Sequence, residues 1–401
     1  MTRAHDRSTP HAGLRRIAAP ALLFAFALAL FGTLGRTPPH AAAAPNAALA
    51  AGSKAYAGIF KDNTVAVLDT ATNAVIGKIP VPAGPHGIVA TPDGRRVYVS
   101  SDGDSKVSVI DTATDTITAT IEVGTMPHGL AITPDGRLVL VAVFGANQVA
   151  FIDTATNAVI GQAPVASPHN IAITPDGRSA YVAAQPQGKT ALVILDIASR
   201  TQTGNVPLDK TPRALNFSPD GKQLEFTLAG ADALQVLDPA TNQIAAQIPV
   251  GASPHHPLYV PGGAMSLVVA QGPGELDLID PVKNTLLTAV KVGDMPHWIA
   301  LTPDSKTAYV TNENSNNVSV VDLASHAVTA TIPVGNAPRK IVILPAAAGQ
   351  SGVRALAATG SGGQAGGGTD RTLLIALFSA ALLLAAACLV AWRASASEAG
   401  R

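Results

Sequence analysis

Short apolar runs alternate with turn residues throughout the central part of the chain. In one stretch, "HGLAIT" is followed by the turn "PDG" and by "RLVLVA", and a loop then leads to "QVAFID", "TATN" and "AVIGQAPV". Each run has about five or six residues, is rich in β-branched side chains, and is bounded by Gly, Pro, Asn or Asp. This pattern predicts four β-strands joined by tight turns.

The four-strand pattern recurs along the chain at a fixed period. A proline at the start of the first strand marks each copy, and successive copies are 41 to 44 residues apart. These prolines are Pro85, Pro127, Pro168, Pro212, Pro254, Pro296 and Pro338. Sheets of this size bury both faces only when they pack around an axis, which leaves short edges. The sequence therefore predicts an all-β fold, a seven-bladed β-propeller of four-stranded blades.

The ends of the repeat region predict how the ring closes. The segment "AYAGIF", residues 55–60, aligns with the second strand of a blade, whereas "RKIVILP", residues 339–345, aligns with the first strand. The N-terminal and C-terminal strands are therefore expected to share one blade. The predicted propeller covers residues 54–345.

One repeat resembles a known family. The segment "TAYVTNENSNNVSVVDLASHAVTATIPVG", residues 307–335, looks like the repeat of the YVTN family of β-propellers. The resemblance covers roughly residues 55–345 and implies the propeller fold. Because that family includes surface-layer proteins, exported propellers and relatives attached to redox centres, the resemblance implies no single function.

The N-terminus has the three-part layout of a secretory signal peptide. Four arginines within the first 16 residues precede an apolar run, residues 17–34, and small-residue stretches follow. We expect a signal peptide over residues 1–43, with cleavage near Ala43 or, as a second choice, Ala50.

The C-terminus predicts attachment to the cell surface. Residues 372–392 carry no charge and are long enough to span a hydrocarbon core of roughly 30 Å as a transmembrane helix. The short basic tail, residues 393–401, should then stay in the cytoplasm. The preceding linker, residues 346–371, contains the motif "LAATG", which consists of Leu356, Ala357, Ala358, Thr359 and Gly360.

This arrangement of motif, spacer, apolar segment and basic tail resembles the LAxTG cell-wall sorting signal of class E sortases in Gram-positive bacteria. The resemblance implies cleavage between Thr359 and Gly360 by a sortase and joining of Thr359 to peptidoglycan. A plain membrane tether is the alternative. Both place the propeller outside the cytoplasm.

The composition of the chain argues against some classes of binding partner. The only cysteine, Cys388, lies in the apolar C-terminal segment, so the propeller has no thiol chemistry. Residues 45–359 hold 19 Lys and Arg against 24 Asp and Glu, without a basic stripe, and only 4% of the chain is aromatic. Nucleic acid is therefore not an expected partner. We expect a monomer.

The residue after each repeated proline carries the candidate chemistry. It is His in five copies and Arg in two, namely His86, His128, His169, Arg213, His255, His297 and Arg339. In a propeller this position lies near one mouth of the central channel. The loops between second and third strands, including "SSDGDSK", "AAQPQGK" and "TNENSNN", reach the same face.

Three interpretations of this ring stay open. In the first, histidine was copied with the repeat and packs beside the proline. In the second, the ring binds an anion or glycan through forked hydrogen bonds from its two arginines. In the third, the ring binds a transition metal, for which imidazole is a suitable ligand. The nitrous oxide reductase propeller resembles this in using histidines near its axis for a copper cluster. The metal-ligand candidates are His86, His128, His169, His255 and His297.

Other repeated polar residues are predicted to be structural. Aspartates at the ends of the third strands should accept backbone N–H bonds from the following turn. They are Asp69, Asp111, Asp153, Asp196, Asp238, Asp280 and Asp322. Asp102 and Asp104 are predicted to form an exposed acidic loop, with a calcium site as the alternative.

The sequence thus predicts an exported, surface-anchored propeller that serves as a binding scaffold. Its expected partners are an envelope protein, a glycan or a small anionic ligand, and no cofactor or catalytic activity is expected. The alternative function is a redox accessory protein with a metal or cofactor at the His/Arg ring.

Overall fold

The computed structural model describes residues 53–345, in which 28 β-strands form seven antiparallel sheets. The strands are β1 (Lys54–Ile59), β2 (Thr64–Asp69), β3 (Ala74–Pro80), β4 (Pro85–Ala90), β5 (Arg96–Ser101), β6 (Lys106–Asp111), β7 (Thr116–Glu122), β8 (Pro127–Ile132), β9 (Leu138–Val143), β10 (Gln148–Asp153), β11 (Ala158–Pro164), β12 (Pro168–Ile173), β13 (Ser179–Ala184), β14 (Ala191–Asp196), β15 (Thr201–Pro207), β16 (Pro212–Phe217), β17 (Leu224–Leu228), β18 (Ala233–Asp238), β19 (Gln243–Pro249), β20 (Pro254–Tyr259), β21 (Ser266–Ala270), β22 (Glu275–Asp280), β23 (Thr285–Lys291), β24 (Pro296–Leu301), β25 (Thr307–Asn312), β26 (Asn317–Asp322), β27 (Ala327–Pro333) and β28 (Pro338–Ile343).

The expected signal peptide, the "LAATG" motif, the apolar segment and the basic tail all lie outside the described residues. Within residues 53–345, no helix has the length and apolar character needed to cross a membrane.

Each four-stranded sheet is one blade of a seven-bladed propeller. Blade 1 has the order β28-β1-β2-β3, and blades 2 to 7 each take four consecutive strands, from β4–β7 to β24–β27. In blade 1, β28 pairs antiparallel with β1 and places Ile341 opposite Ala57. The blade count, the four-stranded blades and the blade shared by the two terminal strands are therefore confirmed.

The core lies between the blades. The second and third strands of a blade, such as β9 and β10, are buried over four or five consecutive residues, whereas the outermost strands alternate and are mostly exposed. Middle strands are covered on both faces because the blades stack face to face, which is why their sequences read as continuous apolar runs. Seven buried apolar clusters result, one at each interface between neighbouring blades.

The aspartates that end the third strands close turns, as predicted. Asp111 Oδ1 accepts the backbone N–H groups of Ala113 and Thr114. The last residue of such a turn adopts positive φ, for example 53° at Asn157, a conformation that Asn tolerates well. The Tyr98 hydroxyl of blade 2 donates to Asn157 Oδ1 of blade 3 at 2.8 Å. The turn therefore also fastens one blade to the next.

The interface between blades 5 and 6 differs from the others because it buries two carboxyl groups. It has the smallest apolar cluster of the seven. Glu225 of β17 is fully buried, and its Oε1 accepts a hydrogen bond from Ser266 Oγ of β21 at 2.7 Å. Asp277 of β22 is also fully buried, and its Oδ2 accepts the Gly251 N–H. Burial raises the pKa of Glu225 to about 7 and that of Asp277 to about 6.

These raised pKa values predict that the propeller is more stable in mild acid. The folded state binds more protons than the unfolded state between about pH 4 and pH 7, so the free energy of unfolding falls as pH rises through this window. Glu225→Gln should raise the free energy of unfolding near pH 8 by about 2 to 3 kcal/mol and change it little near pH 4.5. Urea denaturation at both pH values measures this.

The exposed carboxyl of Glu122, at the end of β7, provides the control. Glu122→Gln should leave the pH profile of stability unchanged. A Glu225→Gln variant that follows the pH profile of the original chain would show that the buried carboxyl stays ionised or relaxes to solvent.

Candidate functional site

A β-bulge follows the repeated proline in each innermost strand and changes the direction of the side chains after it. In β4 the ladder with β5 shifts register between Pro85 and Ile88, so β4 has one residue more than β5 across His86 and Gly87. All seven innermost strands show a register shift after the repeated proline. Bulges redirect side chains in this way and interrupt the alternation of a strand.

The residues that follow the seven prolines all line one cavity at a mouth of the channel. The cavity volume is about 320 Å³. Besides the His and Arg ring, its wall contains Gln185, Thr211, Ala229, Gln271 and Glu313. The structure thus places the whole predicted ring at one site, while ligand binding there stays a prediction.

The five histidines of the ring divide into a triad and a pair. The ring centroids of His86 and His128 are 4.5 Å apart, and those of His128 and His169 are 5.0 Å apart. One ring nitrogen from each of these three residues lies within 4.8 Å of the other two. On the other side, the rings of His255 and His297 are 4.2 Å apart.

Two of the five imidazoles contact a backbone carbonyl of the neighbouring blade. The His255 Nδ1–H donates to the backbone carbonyl of His297 at 3.0 Å, and His169 Nδ1 lies 3.2 Å from the carbonyl of Arg213. This supports a packing role for these two nitrogen atoms. A second group has a buried Nδ1 without a hydrogen-bond partner among the described residues, namely His86, His128 and His297. Such atoms are uncommon in folded proteins, where buried polar groups are paired with protein atoms, water or an ion.

Burial keeps most of the ring imidazoles neutral. It lowers the pKa of His169 to about 3 and the pKa values of His86, His255 and His297 well below the usual range. The positive charges of neighbouring groups, including Lys340, add to this effect. A neutral imidazole has a free lone pair, so these rings can accept a hydrogen bond or bind a metal ion.

Asp102 belongs to the site, contrary to the expectation of an exposed acidic loop. Its side chain is only 16% exposed, and Oδ1 lies 3.2 Å from His128 Nε2. Burial raises the pKa of Asp102, but the contact with His128 and the nearby positive charges outweigh burial and hold it below the usual value. Asp104 instead accepts the Ser105 N–H and lies 3.4 Å from Lys106. The two carboxylates therefore contact different groups.

The two arginines of the ring have different partners. Arg339 Nη2 lies 3.2 Å from Glu313 Oε1, and its guanidinium stacks 3.7 Å from the centre of the Phe60 ring. Arg213 donates to Gln271 Oε1 at 2.9 Å and contacts Ser253 Oγ at 3.3 Å. Among residues 53–345, Arg213 has no carboxylate within ion-pair distance. Burial lowers its pKa from the ordinary value.

A second repeated position, the residue directly after each second strand, faces the ring. The sequence predicts that three of the loops containing it reach this face, but the position itself was not singled out. It contributes Phe60, Asp102, Phe144, Gln185, Ala229, Gln271 and Glu313. Its spacing follows the same repeat as the prolines, and that spacing is the signal that identifies it. Because the residue type changes from blade to blade, composition alone gave no reason to single it out.

Deeper in the channel, the second bulge residues of four blades form a plug, namely Asn170, His256, Trp298 and Lys340, whereas Gly or Ala occupies this position in the other three. Lys340 is 2% exposed, donates to Asn170 Oδ1 at 2.5 Å and lies 3.9 Å from the centre of the Trp298 ring. Trp298 in turn stacks on His256 with 3.4 Å between ring centres. Burial lowers the pKa of Lys340 to about 7. On the far side of the plug, an apolar cavity of about 630 Å³ occupies the opposite mouth.

Comparisons with known proteins support the fold. The family model described as YNCE-like β-propeller matches residues 41–135 and 96–193. A comparison with curated proteins finds no match. Hydrazine synthase of Kuenenia stuttgartiensis is a structural neighbour with a TM-score of 0.61 and 24% identity, over 65% of this chain and 90% of that chain.

Two further solved structures are similar. A functionally unknown protein from Desulfotomaculum acetoxidans has a TM-score of 0.62 and 14% identity, over 73% of this chain and 99% of that chain. Dihydro-heme d1 dehydrogenase NirN, solved in complex with DHE, has a TM-score of 0.53 and 18% identity, over 70% of this chain and 63% of that chain. At these identities the likeness shows the fold alone. The chain is therefore a seven-bladed β-propeller repeat protein, part of which matches the YNCE-like propeller family.

Proposed function

We propose that this protein is an exported, surface-anchored binding protein that takes a small anionic ligand in the cavity lined by the His/Arg ring. Export and anchoring are supported by the sequence of the two termini. Mass spectrometry of the chain isolated from cells tests the anchor. A mature chain that ends at Thr359 supports the sorting signal, whereas one that retains residues 372–392 supports the membrane tether.

The observation that carries the choice of an anion is the environment of Arg213. Its guanidinium lines the cavity, is half-buried and contacts only the neutral side chains of Gln271 and Ser253. A partly desolvated cation without a counter-charge is stabilised by an anion, and charge-assisted hydrogen bonds to guanidinium are stronger than neutral ones. The neutral imidazoles around it offer further donors without adding a competing negative charge.

The size and position of the cavity suit a small molecule. A volume of about 320 Å³ is near the lower end of the range for small-molecule sites, and the seven ring residues that line the cavity come from the innermost strands. We therefore expect an anion of a few non-hydrogen atoms, such as phosphate or a dicarboxylate, in preference to a glycan chain or a protein surface.

Calorimetric titration of the purified full-length chain with phosphate and with oxalate tests this proposal. We expect saturable binding of at least one of them, and Arg213→Gln should weaken it 10- to 100-fold because one charged hydrogen bond is lost. Arg137→Gln, on an exposed turn, is the matched control and should bind as the original chain does. Equal affinity in all three proteins would contradict the proposal, as would binding of an uncharged wall glycan that Arg213→Gln leaves unchanged.

A redox accessory function is the second candidate. The cluster of His86, His128 and His169 favours it, because three imidazoles can hold a transition metal. Hydrazine synthase and dihydro-heme d1 dehydrogenase, two of the structural neighbours, carry names of redox enzymes. Reduction of a metal-loaded chain, followed by optical or electron paramagnetic resonance spectroscopy, tests this candidate, and an ion that does not change oxidation state would exclude it.

A further inference from the structure

We infer that His86, His128 and His169 bind one first-row transition-metal ion, and that the anionic ligand of the cavity completes its coordination. The metal site is argued from the triad alone. Only the identity of the remaining ligand rests on the proposed function.

The spacing of the triad suits a metal centre with three protein ligands. The three nitrogen atoms lie within 4.8 Å of one another, whereas metal–nitrogen bonds of about 2.0 to 2.1 Å in tetrahedral geometry require about 3.4 Å between ligands. Side-chain rotations close this difference, since the three ring centres lie 4.5, 5.0 and 6.0 Å apart. Three protein ligands leave one position open, which is typical of sites that exchange a ligand.

The hydrogen bonding of the triad leaves two of its nitrogen atoms available to a ligand. His86 Nδ1 and His128 Nδ1 are both buried, and neither has a hydrogen-bond partner among residues 53–345, a property that His297 Nδ1 outside the triad shares. The His86 residue as a whole is 3% exposed. A buried polar atom without a partner is unfavourable, and a bound ion would remove this cost.

Asp102 orients one of the proposed ligands. Its Oδ1 lies 3.2 Å from His128 Nε2, within ion-pair distance but without hydrogen-bond geometry, and its negative charge favours the tautomer with the proton on Nε2. His128 Nδ1 then holds the lone pair, and this is the buried atom without a partner. Pairing of a carboxylate with the outer nitrogen of a ligating histidine fixes its tautomer and raises its basicity. We assign Asp102 as a positioning residue of the site.

The charges around the cavity permit a cation. Arg213 and Arg339 are positive, but Asp102 and Glu313 contribute two negative charges at the same mouth. An anion bound between the metal ion and Arg213 would satisfy both. This explains why the ring has the three proposed metal ligands on one side and, on the other, the Arg213 guanidinium without a carboxylate partner among the described residues.

The remaining two histidines of the ring do not form an equivalent site. His255 Nδ1 is committed to the carbonyl of His297, and the third imidazole beside this pair is His86, whose ring centre lies 6.1 Å from that of His297 and which belongs to the triad. Among the described residues, only the triad brings three histidine nitrogen atoms within 4.8 Å of one another. We therefore expect metal binding to depend on His86, His128 and His169 and not on His255 or His297. The pair is a matched control, since both of its histidines are buried and lie in the same ring.

The test uses the full-length chain, purified without chelators or immobilised metal, and measures bound metals by elemental analysis and Co²⁺ binding by visible absorption. We expect one ion per chain and the intense absorption of tetrahedral Co²⁺. The double variant His86→Ala/His128→Ala should bind Zn²⁺ and Co²⁺ at least 100-fold more weakly. The double variant His255→Ala/His297→Ala should bind both ions as the original chain does. Asp102→Asn should weaken binding 10- to 100-fold and leave the stoichiometry at one.

Circular dichroism of each variant verifies folding, and single His86→Gln and His128→Gln variants replace the double variant if it fails to fold. Equal loss of metal in the two double variants, or weak binding that no variant changes, would overturn the inference. Phosphate or oxalate added to the Co²⁺-loaded chain should shift its absorption spectrum. Anion binding that is identical with and without metal would overturn the shared site and leave the proposed function standing, whereas metal binding without any anion binding would contradict only the proposed function.

Discussion

Removal of the last strand is expected to abolish cooperative folding of the propeller. A chain that stops after Val334 lacks β28, the innermost strand of blade 1, and therefore leaves the edge of β1 unpaired. It also leaves blades 7 and 2 without the inner edge against which they pack. The ring then has six complete blades and a gap, which exposes the apolar faces on both sides of blade 1.

The energetic effect is comparable with the stability of a typical domain. Ile341 is 2% exposed and belongs to the apolar cluster between blades 7 and 1, while Val342 packs against the cluster between blades 1 and 2. Each buried aliphatic side chain contributes about 1.5 to 3 kcal/mol, and the backbone hydrogen bonds of β28 are lost as well. Net stabilities of folded domains are only about 5 to 15 kcal/mol. We expect the truncated chain to show no cooperative thermal transition.

A circular permutant separates the loss of the strand from the loss of its chain connection. It places residues 336–345 before residue 53 through a short linker, so that all four strands of blade 1 are contiguous in sequence. Differential scanning calorimetry should show a cooperative transition for the permutant and none for the truncation. A truncated chain that melts cooperatively near the temperature of the original chain would show that the shared blade is dispensable.

Blade count, strand order and the position of the ring could all be predicted from the sequence, because the repeat maps directly onto geometry. A repeat of about 42 residues gives one blade, and equivalent positions such as His86 and His128 fall at equivalent distances from the axis. The same logic identified the aspartates of the turns, whose hydrogen bonds are local. Features that each blade forms within itself, or that all blades repeat, are therefore readable from one sequence.

Features that depend on contacts between non-equivalent blades could not be predicted. Lys340, Asn170 and Trp298 come from blades 1, 4 and 7 and meet only because the channel is closed. The division of the histidines into a triad and a pair, in contrast, follows the order of the ring residues in the sequence, because Arg213 and Arg339 separate the two groups. The burial of Glu225 and Asp277 at one interface could not be predicted either, because the interface between blades 5 and 6 exists only in the assembled ring.

Gly87→Ala is expected to destabilise the fold by about 4 kcal/mol and to disrupt the triad at the same time. A Cβ atom at this position would lie 2.2 Å from the backbone oxygen of His128 and 2.6 Å from Ser100 Oγ. These two atoms are joined to each other, since Ser100 Oγ donates to that oxygen and accepts the Gly87 N–H. The added methyl group therefore forces blades 2 and 3 apart at the contact that positions His86 and His128.

Two effects add up to this loss of stability. Overpacking against backbone atoms costs up to about 3 kcal/mol, and a buried hydrogen bond that is lost adds about 1 kcal/mol. Since His86 precedes Gly87, and the carbonyl that must move belongs to His128, the 4.5 Å spacing of their rings cannot survive. We expect the affinity for Zn²⁺ to fall at least tenfold in those molecules that remain folded.

Blade 5 offers the matched control, because Ala214 occupies the position equivalent to Gly87 and is accommodated there. Ala214→Gly should cost only about 1 kcal/mol, mainly through backbone entropy, and should not change metal affinity. Urea denaturation of both variants, combined with Zn²⁺ titration, measures stability and site geometry separately. If Gly87→Ala lost stability but kept its metal affinity, the triad would not depend on the close approach of blades 2 and 3, and the spacing argument for the site would fail.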